Sequence, residues 1–138
     1  WRMGFALGSQ KNIDAILKVK SNMDSGIFYP LQAGAIQALR LNESWFEQQN
    51  KIYARRRRLL EKLAGKLGCI ITGGQVGLFI WAKIPDGNTS EEFIENILNT
   101  YDIFMAPGSI FGSNGEAYIR ISLCSDEDII NEALNRIK

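Results

Sequence analysis

The sequence predicts an α+β domain, a two-layer sandwich in which helices cover one face of a small, mainly antiparallel sheet. Three observations carry the prediction. Beyond Gly8 the apolar pattern reads helix, helix, helix, strand, strand, helix, strand, strand, helix. The run from Tyr118 to Leu123 alternates cleanly, with Ile119, Ile121 and Leu123 on one face and Tyr118, Arg120 and Ser122 on the other, as a half-buried strand should. With 138 residues, the chain is long enough for one domain with a genuine core and short for a two-lobed cofactor enzyme.

Taken in order, Trp1 to Leu7 mixes aromatic and aliphatic residues between Gly4 and Gly8 and reads as a strand ending in a turn. Asn12 to Val19 places Ile13, Ile16, Leu17 and Val19 at near-helical spacing, and the polar stretch Ser21 to Gly26 ends that helix. From Pro30 to Leu41, Leu31, Ala35, Ala38 and Leu39 recur at helical spacing and predict a second helix. Ser44 with Glu47 fits a capping box that opens a long helix from Trp45 to about Leu67, and Gly68 stands where a left-handed C-terminal residue is wanted. Its inner face should carry Phe46, Gln49, Tyr53, Leu60, Leu63 and Leu67.

Cys69 to Thr72 and Leu78 to Ile84 are rich in β-branched and aromatic residues and predict two strands joined by the turn Gly73 to Gly77. Because that glycine-rich stretch lies between strands rather than between a strand and a helix, it is no nucleotide phosphate loop. Thr89 with Glu92 forms a second capping box before a helix through Phe93, Ile94, Ile97 and Leu98. Ile103 to Ala106 predicts a short strand stopped by Pro107, and Ser125 with Asp128 caps a last helix carrying Ile129, Ile130, Ala133, Leu134 and Ile137.

Composition narrows the function. The chain is 46% hydrophobic and 22% charged with a formal net charge of +1, which offers no long-range field for nucleic acid or an anionic membrane. No apolar stretch approaches the ~20 residues of a membrane span, and no signal-peptide pattern is seen, so a cytoplasmic protein is expected. With no histidine in the chain, a Ser-His-Asp triad, a His-ligated metal and an imidazole base are all excluded within it. Cys69 and Cys124 lie in apolar runs and read as buried thiols. Arg55 to Arg58 resembles a basic patch, but successive helical residues point ~100° apart. These arginines therefore read as a solvated face with ion pairs to Glu61 or Glu47.

Two arginines have the chemistry to hold anions. Arg120 sits on the polar face of its strand between Tyr118 and Ser122; its planar fork suits bidentate binding of a carboxylate, and a solvated outer face is the plain alternative. Arg2 follows Trp1, where an end effect is the plain alternative. Around them stand Trp1-Arg2-Met3-Gly4-Phe5, Ser25-Gly26-Ile27-Phe28-Tyr29-Pro30, Gly77 to Pro85, Met105-Ala106-Pro107-Gly108-Ser109-Ile110-Phe111-Gly112, Gly115-Glu116 and Tyr118-Ile119-Arg120-Ile121-Ser122.

In their order, these segments resemble the C-terminal part of a pyridoxal-phosphate (PLP) aminotransferase of class I/II, fold type I; the stretch from Ser21 to Gln32 is similar to aspartate- and diaminopimelate-type members. The resemblance implies an enzyme that moves an amino group between an amino acid and a 2-oxo acid. In it Arg2 would bind the cofactor phosphate and Arg120 the substrate α-carboxylate, with Tyr29 and Gly77 as further substrate-site candidates. The plain alternatives for those two are an interface or core aromatic and a turn glycine. It further implies that residues 1–25 are a stub of the large PLP-binding domain with its connecting helix, and that 26–138 form the small domain. The Schiff-base lysine would lie upstream of Trp1, so the isolated chain should be inactive, and the parent should be a homodimer. A lyase or decarboxylase on the same scaffold, and a non-catalytic binding or dimerisation module that recognises an acidic ligand through Arg120, are the alternatives.

Overall fold

The structure is a computed structural model that describes residues 3–137. It divides into two compact units, one ending at Phe46 and the other running from Glu47 onward.

The first unit is helical. α1 spans Gln10–Met23 and α2 spans Tyr29–Ala38. α1 stops where the Asp24 carboxylate accepts both the Lys20 ammonium, at 2.6 Å, and the Gly26 N–H, at 2.8 Å; Gly26 then turns the chain at φ +105°. Pro30 occupies the first turn of α2, where its missing N–H costs nothing. Neither helix buries a residue: Leu17, Val19 and Tyr29 are all more than half exposed. The strand expected from Trp1 to Leu7 does not form over residues 3–9. A strand is stable only against a paired neighbour, and among the described residues none is present there. Trp1 and Arg2 lie outside the described residues.

α3, Glu43–Lys66, begins two residues earlier than the Ser44–Glu47 box predicts. Asn42 is the capping residue instead: its Oδ1 accepts the Trp45 N–H at 3.2 Å and the Ser44 hydroxyl at 2.8 Å, so that hydroxyl is spent. The other end follows expectation. Gly68 adopts φ +75°, its N–H reaches the Gly65 carbonyl at 3.0 Å, and the Cys69 N–H reaches that of Ala64 at 2.9 Å, a Schellman closure.

The second unit is the predicted two-layer sandwich. Its sheet has the order β1-β2-β4-β3, built from β1 (Ile70–Ile71), β2 (Phe79–Lys83), β3 (Ala106–Pro107) and β4 (Tyr118–Ser122). Every pairing is antiparallel. α3, α4 (Ser90–Tyr101) and α5 (Glu127–Arg136) cover one face. There Leu60, Leu63 and Ala64 of α3, Phe93, Ile94 and Ile97 of α4, and Ile130 of α5 close over Ile80, Ala82, Ile119 and Ile121 of the strands. Alternation along β2 and β4 thus sends one set of side chains to the core and the other, with Arg120, to the opposite face.

Several local expectations are corrected. β3 is displaced onto Ala106–Pro107; as an edge strand it needs no donor on its outer side, so proline fits. The Ser125–Asp128 box does not form: Asp126 is the N-cap, and its carboxylate is bound 2.6 Å from Arg56 rather than to the helix. Cys69 is buried as expected, whereas Cys124 is exposed in the turn after β4. The arginine run does disperse around α3, yet its partners are not Glu61 or Glu47. Arg55 pairs with Glu127 at 2.9 Å, Arg56 holds the Leu123 and Cys124 carbonyls as well as Asp126, and Arg57 donates to the Gly77 carbonyl. These residues staple α3 to the ends of β2 and β4. The inner face of α3 includes Ala64, which the spacing argument omits, while Phe46 stays exposed. None of the described helices is long and apolar enough to cross a membrane.

Candidate functional site

The exposed face of the sheet carries the chemistry. Arg120 lies opposite Trp81 in the β2–β4 register, and Phe79 lies opposite Ser122. The Arg120 guanidinium carbon sits 4.3 Å from the centre of the Phe79 ring and 4.2 Å from that of Phe111, so the cation is in contact with two aromatic rings. Phe111 meets Trp81 edge-on at 5.8 Å, and Trp81 stacks on Tyr118 at 5.4 Å. Arg120 therefore stands at the edge of an aromatic cluster of Phe79, Phe111, Trp81 and Tyr118.

The placement of Phe111 follows from glycine. After β3, Gly108–Phe111 and Ser113–Gly115 form two short 3₁₀ turns. Gly108 and Gly115 cross backbone to backbone; a Cβ on Gly108 would fall inside contact distance of the Gly115 carbonyl and 2.6 Å from the Tyr118 carbonyl oxygen. Between them Gly112 turns the chain at φ +121°, which side chains disfavour. The loop is also tied to the start of α4. Ser90, fully buried, accepts the Ser109 N–H at 3.3 Å and gives its own N–H to Glu116 at 3.2 Å, while Ser109 Oγ donates to Glu91.

The start of β2 is fixed just as firmly. Arg57 Nη2 donates to the Gly77 carbonyl at 3.0 Å and, at 3.4 Å, to that of Phe79. The Gln75 side-chain amide pairs with both backbone groups of Trp81, donating at 2.7 Å and accepting at 2.8 Å, so it continues the ladder where β1 ends. Lys83 is held 2.8 Å from Asp86; that hydrogen-bonded pair raises the lysine pKa and lowers the aspartate's.

Arg120 makes no hydrogen bond or ion pair with another group among the described residues. Arg136, by contrast, is committed to the Tyr101 and Asp102 carbonyls and to Glu132. Arg120 thus combines close contact with two aromatic rings and donors unspent among the described residues, a set suited to a bidentate anion such as a carboxylate.

The remaining site candidates are spread out. Gly77 adopts φ +85° two residues ahead of Phe79 and is anchored by Arg57. Tyr29 is the first residue of α2 in the other unit, with three quarters of its surface exposed. Arg2 lies outside the described residues. Sequence reasoning missed Phe79, Phe111 and Trp81 as neighbours of Arg120. Alternation along Phe79, Trp81 and Lys83 would have put the first two on the right face; the approach of Phe111 depends on a glycine crossing that no local pattern reveals.

The family model for aminotransferase class I and II matches residues 1–137. The chain is 38% identical over 138 residues to LL-diaminopimelate aminotransferase of Halothermothrix orenii, covering 100% of this chain and 36% of that protein. It is 38% identical to the enzyme of that name from Maridesulfovibrio salexigens, covering 99% and 35%. Among solved structures, substrate-bound BacF from Bacillus subtilis superposes with a TM-score of 0.86 at 33% identity, over 99% of this chain and 35% of that one. An aminotransferase from Staphylococcus aureus gives 0.82 at 32% identity, over 94% and 35%. The chain spans about a third of the length of these relatives. With the family model matched almost end to end, and with fold-type I aminotransferases as its structural neighbours, the chain belongs to the class I and II aminotransferases.

Proposed function

We propose that this chain is the C-terminal part of a PLP-dependent aminotransferase in which Arg120 anchors the α-carboxylate of the amino acid and of the 2-oxo acid. One observation supports this reading above the others: a guanidinium 4.2 and 4.3 Å from two aromatic rings, with its donors unspent among the described residues, in a chain matched by the family model over residues 1–137. A bidentate grip on the carboxylate fixes the substrate at one end and so sets the direction of its Cα–H bond. The cofactor, when bound, supplies the electron sink for chemistry at that carbon.

Arg2 is the residue proposed to hold the cofactor phosphate. Support for that role is its guanidinium fork, which fits a phosphate, and its place in the segment that resembles the family. Tyr29 and Gly77 are proposed to border the substrate. For Gly77 the support is that its carbonyl and the backbone of Phe79 share the Arg57 staple. We assign residues 1–25 to the large domain and 26–138 to the small domain, on the strength of the polar break where α1 ends at Asp24 and Gly26 turns. A cytoplasmic homodimer completes the proposal, supported by the family resemblance and by the unburied apolar side chains of α1 and α2. Diaminopimelate is the first amino donor to assay, since relatives 38% identical bear that name.

The test uses the full-length protein loaded with PLP. Borohydride reduction followed by peptide mapping should label a lysine shortly upstream of Trp1, and incubation with an amino acid and a 2-oxo acid should yield the exchanged pair. Labelling without amino-group exchange would point to a lyase or decarboxylase; absence of both would leave a binding module.

A further inference from the structure

We infer that Phe79 and Phe111 are positioning residues for the carboxylate anchor: packed 4.3 and 4.2 Å from the Arg120 guanidinium, they hold its fork in place for a ligand. The inference rests on the reading of Arg120 given above and adds to it what holds the fork in place, from which a carboxylate, gripped by paired charge-assisted hydrogen bonds, gains more than a neutral amide does.

The two rings come from different elements, β2 and the first 3₁₀ turn, yet they approach the same guanidinium at nearly equal distances. Neither fills the core: Phe79 is 42% and Phe111 47% exposed. Among the described residues the contact that the two rings share is the Arg120 guanidinium. Each ring is itself held, Phe79 through the Arg57 staple on its backbone and Phe111 through Trp81 and the crossing of Gly108 with Gly115. An unconstrained arginine must give up its rotamer freedom when a carboxylate binds; one already packed against two rings has given up much of it.

Leucine at either position keeps apolar bulk but loses the flat, electron-rich face, whereas tyrosine keeps that face. Phe111→Leu should weaken carboxylate binding about five-fold and the Phe79→Leu/Phe111→Leu pair about twenty-fold, while Phe111→Tyr should stay within about two-fold of the unsubstituted protein. The experiment is calorimetric titration of the full-length protein with hexanoate and with hexanamide, alongside KM and kcat for an active amino donor. The expected result is weaker hexanoate binding, unchanged hexanamide binding, and a KM that rises more than kcat falls. Equal weakening of both probes, or unchanged hexanoate binding in both leucine variants, would overturn the inference. Arg120→Gln separates the two levels: if it abolishes the preference for hexanoate while the leucine variants do not, the anchor stands and the positioning role fails. If Arg120→Gln leaves hexanoate binding intact, the anchor itself is wrong and the inference falls with it.

Discussion

Gly108→Ala should damage this protein far more than the addition of one methyl group suggests. In the structure the new Cβ would overlap the Gly115 carbonyl, stand 2.6 Å from the Tyr118 carbonyl oxygen and 3.0 Å from the Gly115 carbonyl carbon. All three are backbone atoms, so no side chain can swing aside; the two 3₁₀ turns must separate or β4 must shift. Overpacking of this kind costs ~1–3 kcal/mol, and the upper end applies where only backbone can yield. The relatives are about three times as long as this chain, and at about 2–4 °C per kcal/mol for a larger protein ~2–3 kcal/mol corresponds to a fall in Tm of roughly 4–12 °C. Gly73→Ala is the matched control, because its Cβ meets nothing within 4 Å; it should change Tm by no more than a few degrees. Thermal unfolding of the full-length variants, followed by circular dichroism, compares the two. Because Gly108 seats Phe111, its variant should also bind carboxylates more weakly before it unfolds. A Gly108→Ala protein that melts within about 2 °C of the Gly73→Ala control would refute the backbone-crossing argument.

Thr89→Ala should cost ~1 kcal/mol by removing the hydroxyl that accepts the Glu92 N–H, measured by urea unfolding at neutral pH. The same box holds the Glu92 carboxyl below its usual pKa through hydrogen bonds from the Thr89 hydroxyl and N–H. Its contribution is therefore present above the normal glutamate pKa and is lost as pH falls through the lowered value, so the wild-type advantage over Thr89→Ala should shrink in acid. Burial pushes the Cys69 thiol up to about 11. Folding favours its protonated form, so that stabilisation is complete below the ordinary thiol pKa and fades as pH climbs towards 11; iodoacetamide at pH 8 should alkylate exposed Cys124 and spare Cys69 until the protein unfolds. Gln75→Ala strips both side-chain hydrogen bonds from the Trp81 backbone and should cost ~1–3 kcal/mol by urea unfolding, with faster amide exchange at Trp81.

What the sequence revealed was what it encodes locally. The alternation of Tyr118 to Leu123 placed Arg120 opposite an aliphatic face, and Ile119 and Ile121 are indeed buried. The Thr89–Glu92 box and the Gly68 closure depend on residues a few positions apart, and both form. Failures came where a distant partner decides. Ser125 with Asp128 reads as a capping box, yet Asp126 takes the N-cap position and Arg56, from α3, takes its carboxylate. The arginine run was paired with neighbours on its own helix, while its partners come from the β4–α5 connection and from β2. Residues 3–9 have strand composition but no strand to pair with among the described residues. The site shows the same divide: the arginine was legible from its strand, but the two rings that clamp it meet it only through the β2–β4 register and the Gly108–Gly115 crossing.

The measurement that bears most directly on the central claim is kcat/KM for an active amino donor and for its α-carboxamide, in the full-length enzyme and in Arg120→Gln. If Arg120 grips the α-carboxylate, the unsubstituted enzyme should prefer the acid by roughly a hundred-fold or more, and Arg120→Gln should bring the two substrates within a few-fold by losing activity on the acid alone. An acid preference that survives in Arg120→Gln would contradict the account and place the carboxylate anchor elsewhere.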